Sequence, residues 1–295
     1  GAPIIDVLDA IFTYLSGLRG FYSASLCPML RQFSFTGLLA GVITVKLVTK
    51  VVSSANPLRR NGFTFKQFFV AHDRCAMKVG TDGVLLGATA PVSHARRVLD
   101  IGCGSGLIAM MLAQRSNAQT VIDAVELEPS AAAQAEENFR NSVWAQRLAV
   151  YAQDINVYAG EHQAEYDLIV SNPPYFESAV ACRDEARNAA RYTETLTHDA
   201  LLECANKLLT PEGLFSVVLP YDIGLAFETL AHRKGWFSAR RMAVRDRPGK
   251  PLNRLVLTLS RQSAETVDEE LALRKSEGVY SEAFCALITD FYLNY

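Results

Sequence analysis

Apolar positions recur along this chain in two rhythms, and the switch between them predicts its elements. In the first stretch Ile4, Ile5, Leu8, Ile11, Phe12, Leu15 and Leu18 follow helical spacing, which predicts an amphipathic helix. A second apolar run, residues 35–45, is too short to span a bilayer and is followed by Lys46 and Lys50. It also lies too far into the chain for a signal-peptide core, so no membrane anchor is expected. Ser53, Ser54, Ala55, Asn56 and Pro57 have the composition of a linker. Residues 1–56 are therefore expected to be a helical extension or, since the chain starts Gly-Ala-Pro, an added leader; residues 57–295 form the main domain.

Within the main domain, short apolar runs alternate with helix-like stretches. Strands are expected at 97–101, 120–126, 148–152, 166–171 and 214–219, and helices at 107–114, 130–141 and 198–209. That alternation predicts an α/β fold, a parallel sheet with helices on both faces. A helix over 223–234 and antiparallel strands at 239–244 and 255–260 follow. A strand candidate at 271–274 and a last helix from Ser281, with Phe284, Leu287, Ile288 and Phe291 on one face, complete the reading.

Composition narrows this picture. Hydrophobic residues make up 49% and charged residues 20% of the 295, which excludes a disordered chain. A net charge of −2 argues against binding nucleic acid by bulk charge and leaves room for a local basic patch. None of the six cysteines forms a CxxC pair, so neither a metal site nor a disulfide framework is expected. Free thiols suit the reducing cytoplasm.

The candidate chemistry lies where the strands end. Asp100, Gly102, Gly104 and Gly106 place an acid and a glycine turn between a buried strand and a helix start. Such a turn lets backbone curl beneath a ligand, with free N–H groups at the helix N-terminus. Glycine turns of this kind also occur in dinucleotide-binding domains. Glu126 ends the next strand, where a ribose diol would be gripped, and Asp154 ends the third, where an adenine amine would be met. For each acid the alternative is a helix cap. Cys103 reads as a small loop filler. The sharpest signal is Asn172-Pro173-Pro174-Tyr175 after the fourth strand. Two prolines stiffen the turn and remove two donors. The Asn172 amide oxygen and the Pro173 carbonyl can then accept both hydrogens of one exocyclic amine, and Tyr175 offers a flat face to a planar base. Arg59, Arg60 and Lys66 interleave with Phe63 and Phe65, a mix suited to RNA or equally to a β-hairpin edge. In the block 78–87 Asp82 is placed to cap a helix. Arg240, Arg241, Arg245, Arg247 and Lys250 are either phosphate contacts or a solvated face.

The acid before the first glycine, together with Asn-Pro-Pro-Tyr, resembles the class I S-adenosylmethionine-dependent amino-methyltransferases. With residues 58–73, 78–87, 191–196 and 280–284, the chain from Leu58 onward resembles the bacterial tRNA1(Val) adenine-N6 methyltransferase family. The resemblance implies a Rossmann-like fold with a mainly parallel seven-stranded sheet. It also implies an enzyme that methylates the adenosine beside the anticodon. It implies that Asp100, the loop glycines, Glu126, Leu127, Asp154, Ile155 and Asn172 hold S-adenosylmethionine, with Lys78, Thr81 and Asp82 over it. Asn172, Pro173, Pro174 and Tyr175 would be catalytic, and Arg59, Arg60, Lys66 and Tyr175 would meet the RNA. The expected partner is tRNA, for a monomeric, cytoplasmic protein without a metal. Two alternatives stay open: a protein glutamine methyltransferase, and a non-catalytic RNA-binding protein with a vestigial cofactor site.

Overall fold

The computed structural model describes residues 61–175 and 196–294. The chain divides into two units, Gly1–Ser54 and Ala55–Tyr295, and the described residues all belong to the second. The expected N-terminal helix and the linker lie outside them, as do Arg59, Arg60 and the segment 191–195.

The unit opens with a small hairpin, β1 (Gly62–Thr64) and β2 (Phe69–Ala71), and a helix, α1 (Thr81–Thr89). Strand and helix then alternate: β3 (Arg97–Ile101), α2 (Leu107–Arg115), β4 (Val121–Glu126), α3 (Pro129–Arg140), β5 (Leu148–Ala152), α4 (Ile155–Glu161) and β6 (Tyr166–Ser171). After the undescribed stretch come α5 (His198–Leu208), β7 (Leu209–Pro220), α6 (Tyr221–Arg233), β8 (Phe237–Arg245), β9 (Leu252–Ser260), β10 (Val267–Ala272), the hairpin β11 (Arg274–Ser276) and β12 (Val279–Tyr280), and α7 (Glu282–Ile288).

Eight strands form one sheet in the order β10-β8-β9-β7-β6-β3-β4-β5. Its half from β7 to β5 is parallel, and β9 runs antiparallel to both β7 and β8. The central strands are buried on both sides, which is why they read as unbroken apolar runs. One core, with Val84, Met110, Phe139 and Phe284, lies under α1, α2, α3 and α7. The other, with Tyr158, Leu201 and Phe227, lies under α4, α5 and α6.

The mainly parallel sheet with helices on both faces is the expected one, with eight strands instead of seven. The additional strand is β10, at the edge; the candidate at 271–274 overlaps it at Leu271 and Ala272. Asp268, Glu269 and Glu270 along it are exposed, so no apolar alternation marks it. These acids pair with the arginines of β8: Arg241 with Asp268 (2.7 Å), Arg240 with Glu269 (2.6 Å) and Arg245 with Glu270 (2.7 Å). Three of the five basic residues offered as phosphate contacts are thus balanced within the sheet.

Helix starts follow local chemistry. Pro129 sits at the first position of α3, where its missing N–H costs nothing. Asp154, Thr197 and Ser281 cap α4, α5 and α7 with side-chain oxygens. The cap expected from Asp82 is not made: α1 starts at Thr81 after Gly80, with no side-chain cap bond.

Candidate active site

Chain order reverses at β3: β4 and β5 lie to one side of it, β6 and β7 to the other. Open α/β sheets bind ligands outside the carboxyl ends of strands at such a point. Ile101 pairs with Ser171, and the Ser171 hydroxyl donates to the Ile101 carbonyl at 2.9 Å. The glycine turn and Asn172 therefore leave adjacent strands side by side.

Gly102, Gly104 and Gly106 all adopt left-handed backbone (φ 70°, 52° and 81°) that side chains disfavour. A Cβ at Gly102 or Gly104 would meet nothing within 4 Å among the described residues, so both border open space. At Gly106 it would strike the Phe139 ring at 2.4 Å. The third glycine therefore lets α2 and α3 approach, and the first two leave the cradle. Asp100 is fully buried, and its Oδ2 accepts from the Ala109 amide (3.2 Å) in the first turn of α2, which has no side-chain cap of its own. Its Oδ1 is buried with no hydrogen-bond partner among the described residues. Burial pushes the Asp100 carboxyl up to about 7; the Ala109 bond opposes this and the Glu126 charge adds to it. Burial also raises the Cys103 thiol well above its ordinary range, so it stays protonated and fills space.

Glu126, buried at the end of β4, accepts from the Gly104 amide (2.8 Å) and the Glu128 amide (2.9 Å), one on each oxygen. These two bonds lock the carboxylate against the glycine turn. Leu127 beside it is exposed. At the end of β5 the Gln153 amide donates to the Glu126 carbonyl (3.0 Å), which brings Asp154 and the buried Ile155 alongside. Asp154 Oδ1 is engaged as a cap by the Asn156 amide (2.7 Å) and Asn156 Nδ2 (2.9 Å).

Asn172 follows β6, and its Oδ1 is a second buried acceptor with no hydrogen-bond partner among the described residues. Tyr175 donates its hydroxyl to Asp82 Oδ2 at 3.3 Å. The other oxygen of Asp82 accepts from Arg254 Nε at 2.7 Å, and the Arg254 guanidinium lies 6.0 Å from the Tyr175 ring centre.

The remaining expected residues are placed as follows. Lys78 is exposed and reaches the carbonyls of His72 (3.0 Å) and Cys75 (3.5 Å), while Thr81 opens α1. Lys66 donates to the Thr289 carbonyl at the end of α7 (2.5 Å). Phe65 is buried and stacked on Phe68, and Phe63 packs against Phe65 and Tyr292. The hairpin reading of this segment is the observed one, and its phenylalanines pack inward. Sequence reasoning passed over Arg254 and also Gln134 and Asn138. Asn138 bonds Ala71 on both backbone groups and the Ser105 carbonyl; Gln134 holds the Arg74 amide. Two amides four apart in an alanine-rich helix were the available signal.

Among the described residues no helix is long and apolar enough to cross a membrane, and no cluster of His, Cys, Asp or Glu could hold a metal. Residues 75–232 match the family model described as "Methyltransferase small domain". A protein described as a predicted O-methyltransferase from Agrobacterium tumefaciens shares the fold, with a TM-score of 0.55 at 16% identity over 71% of this chain and 96% of that one. Fold and site together define a Rossmann-like methyltransferase, the class whose cofactor is S-adenosylmethionine. A protein of Yersinia pestis (strain Pestoides F) named tRNA1(Val) (adenine(37)-N6)-methyltransferase is 67% identical over 238 residues, 81% of this chain and 96% of that one. A protein of the same name from Yersinia pseudotuberculosis (serotype O:1b, strain IP 31758) matches to the same extent. The chain belongs to this tRNA1(Val) (adenine(37)-N6)-methyltransferase family.

Proposed function

We propose that this protein transfers a methyl group from S-adenosylmethionine to the exocyclic N6 of an adenosine in tRNA, adenosine 37 of tRNA1(Val), as the names of its relatives state of them. The observation that carries the reading is the Asn172 amide oxygen, buried without a partner among the described residues beside the open glycine turn. An unsatisfied buried acceptor costs about 1–3 kcal/mol, and a substrate amine would relieve that cost.

The cofactor fits the residues present. Open space over Gly102 and Gly104 and the orphan Asp100 Oδ1 suit a ligand with an ammonium group. Asp100 and the two glycines would hold its amino-acid part. Glu126 and Leu127 would take the ribose, Asp154 and Ile155 the adenine, and Lys78 and Thr81 would lie above. Bound there, it supplies an electrophilic methyl on a sulfonium. The chain's own part is orientation. Asn172 Oδ1 and the Pro173 carbonyl would each accept one N6 hydrogen, which favours the tetrahedral amine and turns its lone pair outward. The methylated nitrogen would carry one surplus proton, which the two acceptors would hold until it leaves to water. Pro173 and Pro174 hold the turn, and Tyr175 stacks on the extruded base.

The reading also includes a monomer and a cytoplasmic location, and the four free cysteines among the described residues suit the second of these. The test is to incubate the full chain with methyl-labelled cofactor and either transcribed tRNA1(Val) or a protein with an exposed glutamine. Mass spectrometry of ribonuclease fragments of the RNA is expected to find N6-methyladenosine at position 37 alone. Label in the protein and none in the RNA would replace this reading with glutamine methylation.

A further inference from the structure

Asp82, Tyr175 and Arg254 come from three distant parts of the chain and meet at the Asn-Pro-Pro-Tyr turn. The pair Arg254–Asp82 spans 172 positions and Tyr175–Asp82 spans 93. The two anchors stand on rigid elements. Asp82 lies in the first turn of α1, whose residues 83–89 are all buried. Arg254 lies on β9, opposite Pro220 of β7 and Val244 of β8, so it stands at the carboxyl ends of the parallel strands. Tyr175, in contrast, is held by a loop.

Each Asp82 oxygen serves one partner. Oδ1 takes the guanidinium Nε at 2.7 Å and Oδ2 the phenol at 3.3 Å. The ion pair is largely shielded, with side-chain exposures of 26% for Arg254 and 18% for Asp82, so salt screens it little. Arg254 Nη1 also donates to the Asn253 carbonyl at 2.8 Å, which fixes the guanidinium plane. A plane fixed in this way and lying over the Tyr175 ring restrains the ring's tilt, while the phenol–carboxylate bond restrains its swing.

We propose that Arg254 is a positioning residue for methyl transfer: acting through Asp82, it holds the Tyr175 ring at the angle on which the substrate base stacks. This rests on the adenine reading above. It also gives Asp82 a task on the substrate side of the site in place of a cofactor contact. Two of the guanidinium nitrogens already donate within the protein, which disfavours a phosphate contact.

The test uses the full chain with transcribed tRNA1(Val), comparing wild type with Arg254→Ala, Arg254→Lys, Asp82→Asn, Tyr175→Phe and the double variant Arg254→Ala/Tyr175→Phe. Arg254→Ala is expected to lower kcat by about tenfold or more, the scale on which small misplacements act. The KM for tRNA and the affinity for S-adenosylhomocysteine by calorimetry should stay within about threefold, since neither contact is removed. Arg254→Lys should recover part of kcat, because it restores a positive partner to Asp82. The double variant should be no worse than the poorer single variant, as expected for residues acting as one unit. Should Arg254→Ala not fold, the near-isosteric Asp82→Asn carries the same expectation. An unchanged kcat overturns the proposal. So does a loss confined to KM with a flattened salt dependence, which would mark a phosphate contact, and so does a loss of cofactor affinity. A wild type that methylates no tRNA overturns the adenine reading and this role with it, whereas an active wild type beside equally active variants overturns only the role of Arg254.

Discussion

Asn172 and Asp100 each keep a buried oxygen without a partner among the described residues, and the two oxygens predict different behaviour. Asn172→Ala removes an acceptor needed only when an amine approaches. Transfer should fall by about a hundredfold or more, the usual scale for one positioned polar group. Cofactor affinity by calorimetry should stay near wild type, and full turnover would sink the mechanism. Asp100 makes the protein sensitive to pH. Its carboxyl is raised from 3.8 to about 7, so across that window the native state holds more protons than the unfolded chain. Stability therefore falls as pH rises through it. Asp100→Asn removes the titration, so its melting temperature should fall less than that of wild type between about pH 5 and pH 8. Parallel profiles would show that the carboxyl ionises normally. Both residues were legible because their signals are local: an acid before glycine, an amide before two prolines. Gly106 was half legible, since its spacing announced a turn but not the Phe139 ring it must clear. Arg254 was not legible at all, because its partner lies 172 positions away and an arginine on a strand has no periodicity of its own.

Elements were legible wherever burial imposes a rhythm. Strands β3, β5 and β6 fall where their apolar runs predicted, and β7 extends back to Leu209 through exposed Glu212. What stayed hidden is β10, held by the polar pairing of its acids, and α4, whose seven residues with three buried are too short to show a period. Joints between elements are polar too. Arg147, just before β5, donates to the carbonyls of Ala113 (2.6 Å), Asn117 (3.0 Å) and Thr120 (3.0 Å) and to the Ser116 hydroxyl (3.1 Å). One cation thus closes the C-terminal end of α2 and the turn into β4, where the helix dipole favours positive charge. Arg147→Ala should lower stability by about 2 kcal/mol in denaturant unfolding, since charged donors leave and carbonyls lose partners. Arg147→Lys should recover less than half, because an ammonium cannot span all four acceptors. A loss below about 0.5 kcal/mol would mean that water replaces the fork.

At the scale of the whole molecule, the chain divides between Ser54 and Ala55 into its two units. Every residue assigned here to cofactor or transfer lies in the second unit. Removing residues 1–54 should leave S-adenosylhomocysteine affinity within about twofold of the full chain and a single cooperative melt. Aggregation of the shortened chain would show that the apolar face from Ile4 to Leu18 is core. The second unit also joins its own beginning to its end. The first hairpin is tied to the last helical turn by Lys66, whose amide bonds the Phe291 carbonyl (2.8 Å) and whose ammonium bonds the Thr289 carbonyl, and Tyr292 packs on Phe63 and Phe65. This closure has a consequence for synthesis. The ribosome delivers the hairpin's phenylalanines before every strand of the sheet and their Tyr292 partner after all of them. Throughout translation that aromatic patch stands without its cover, and a nascent chain stalled before Thr289 keeps it exposed to chaperones.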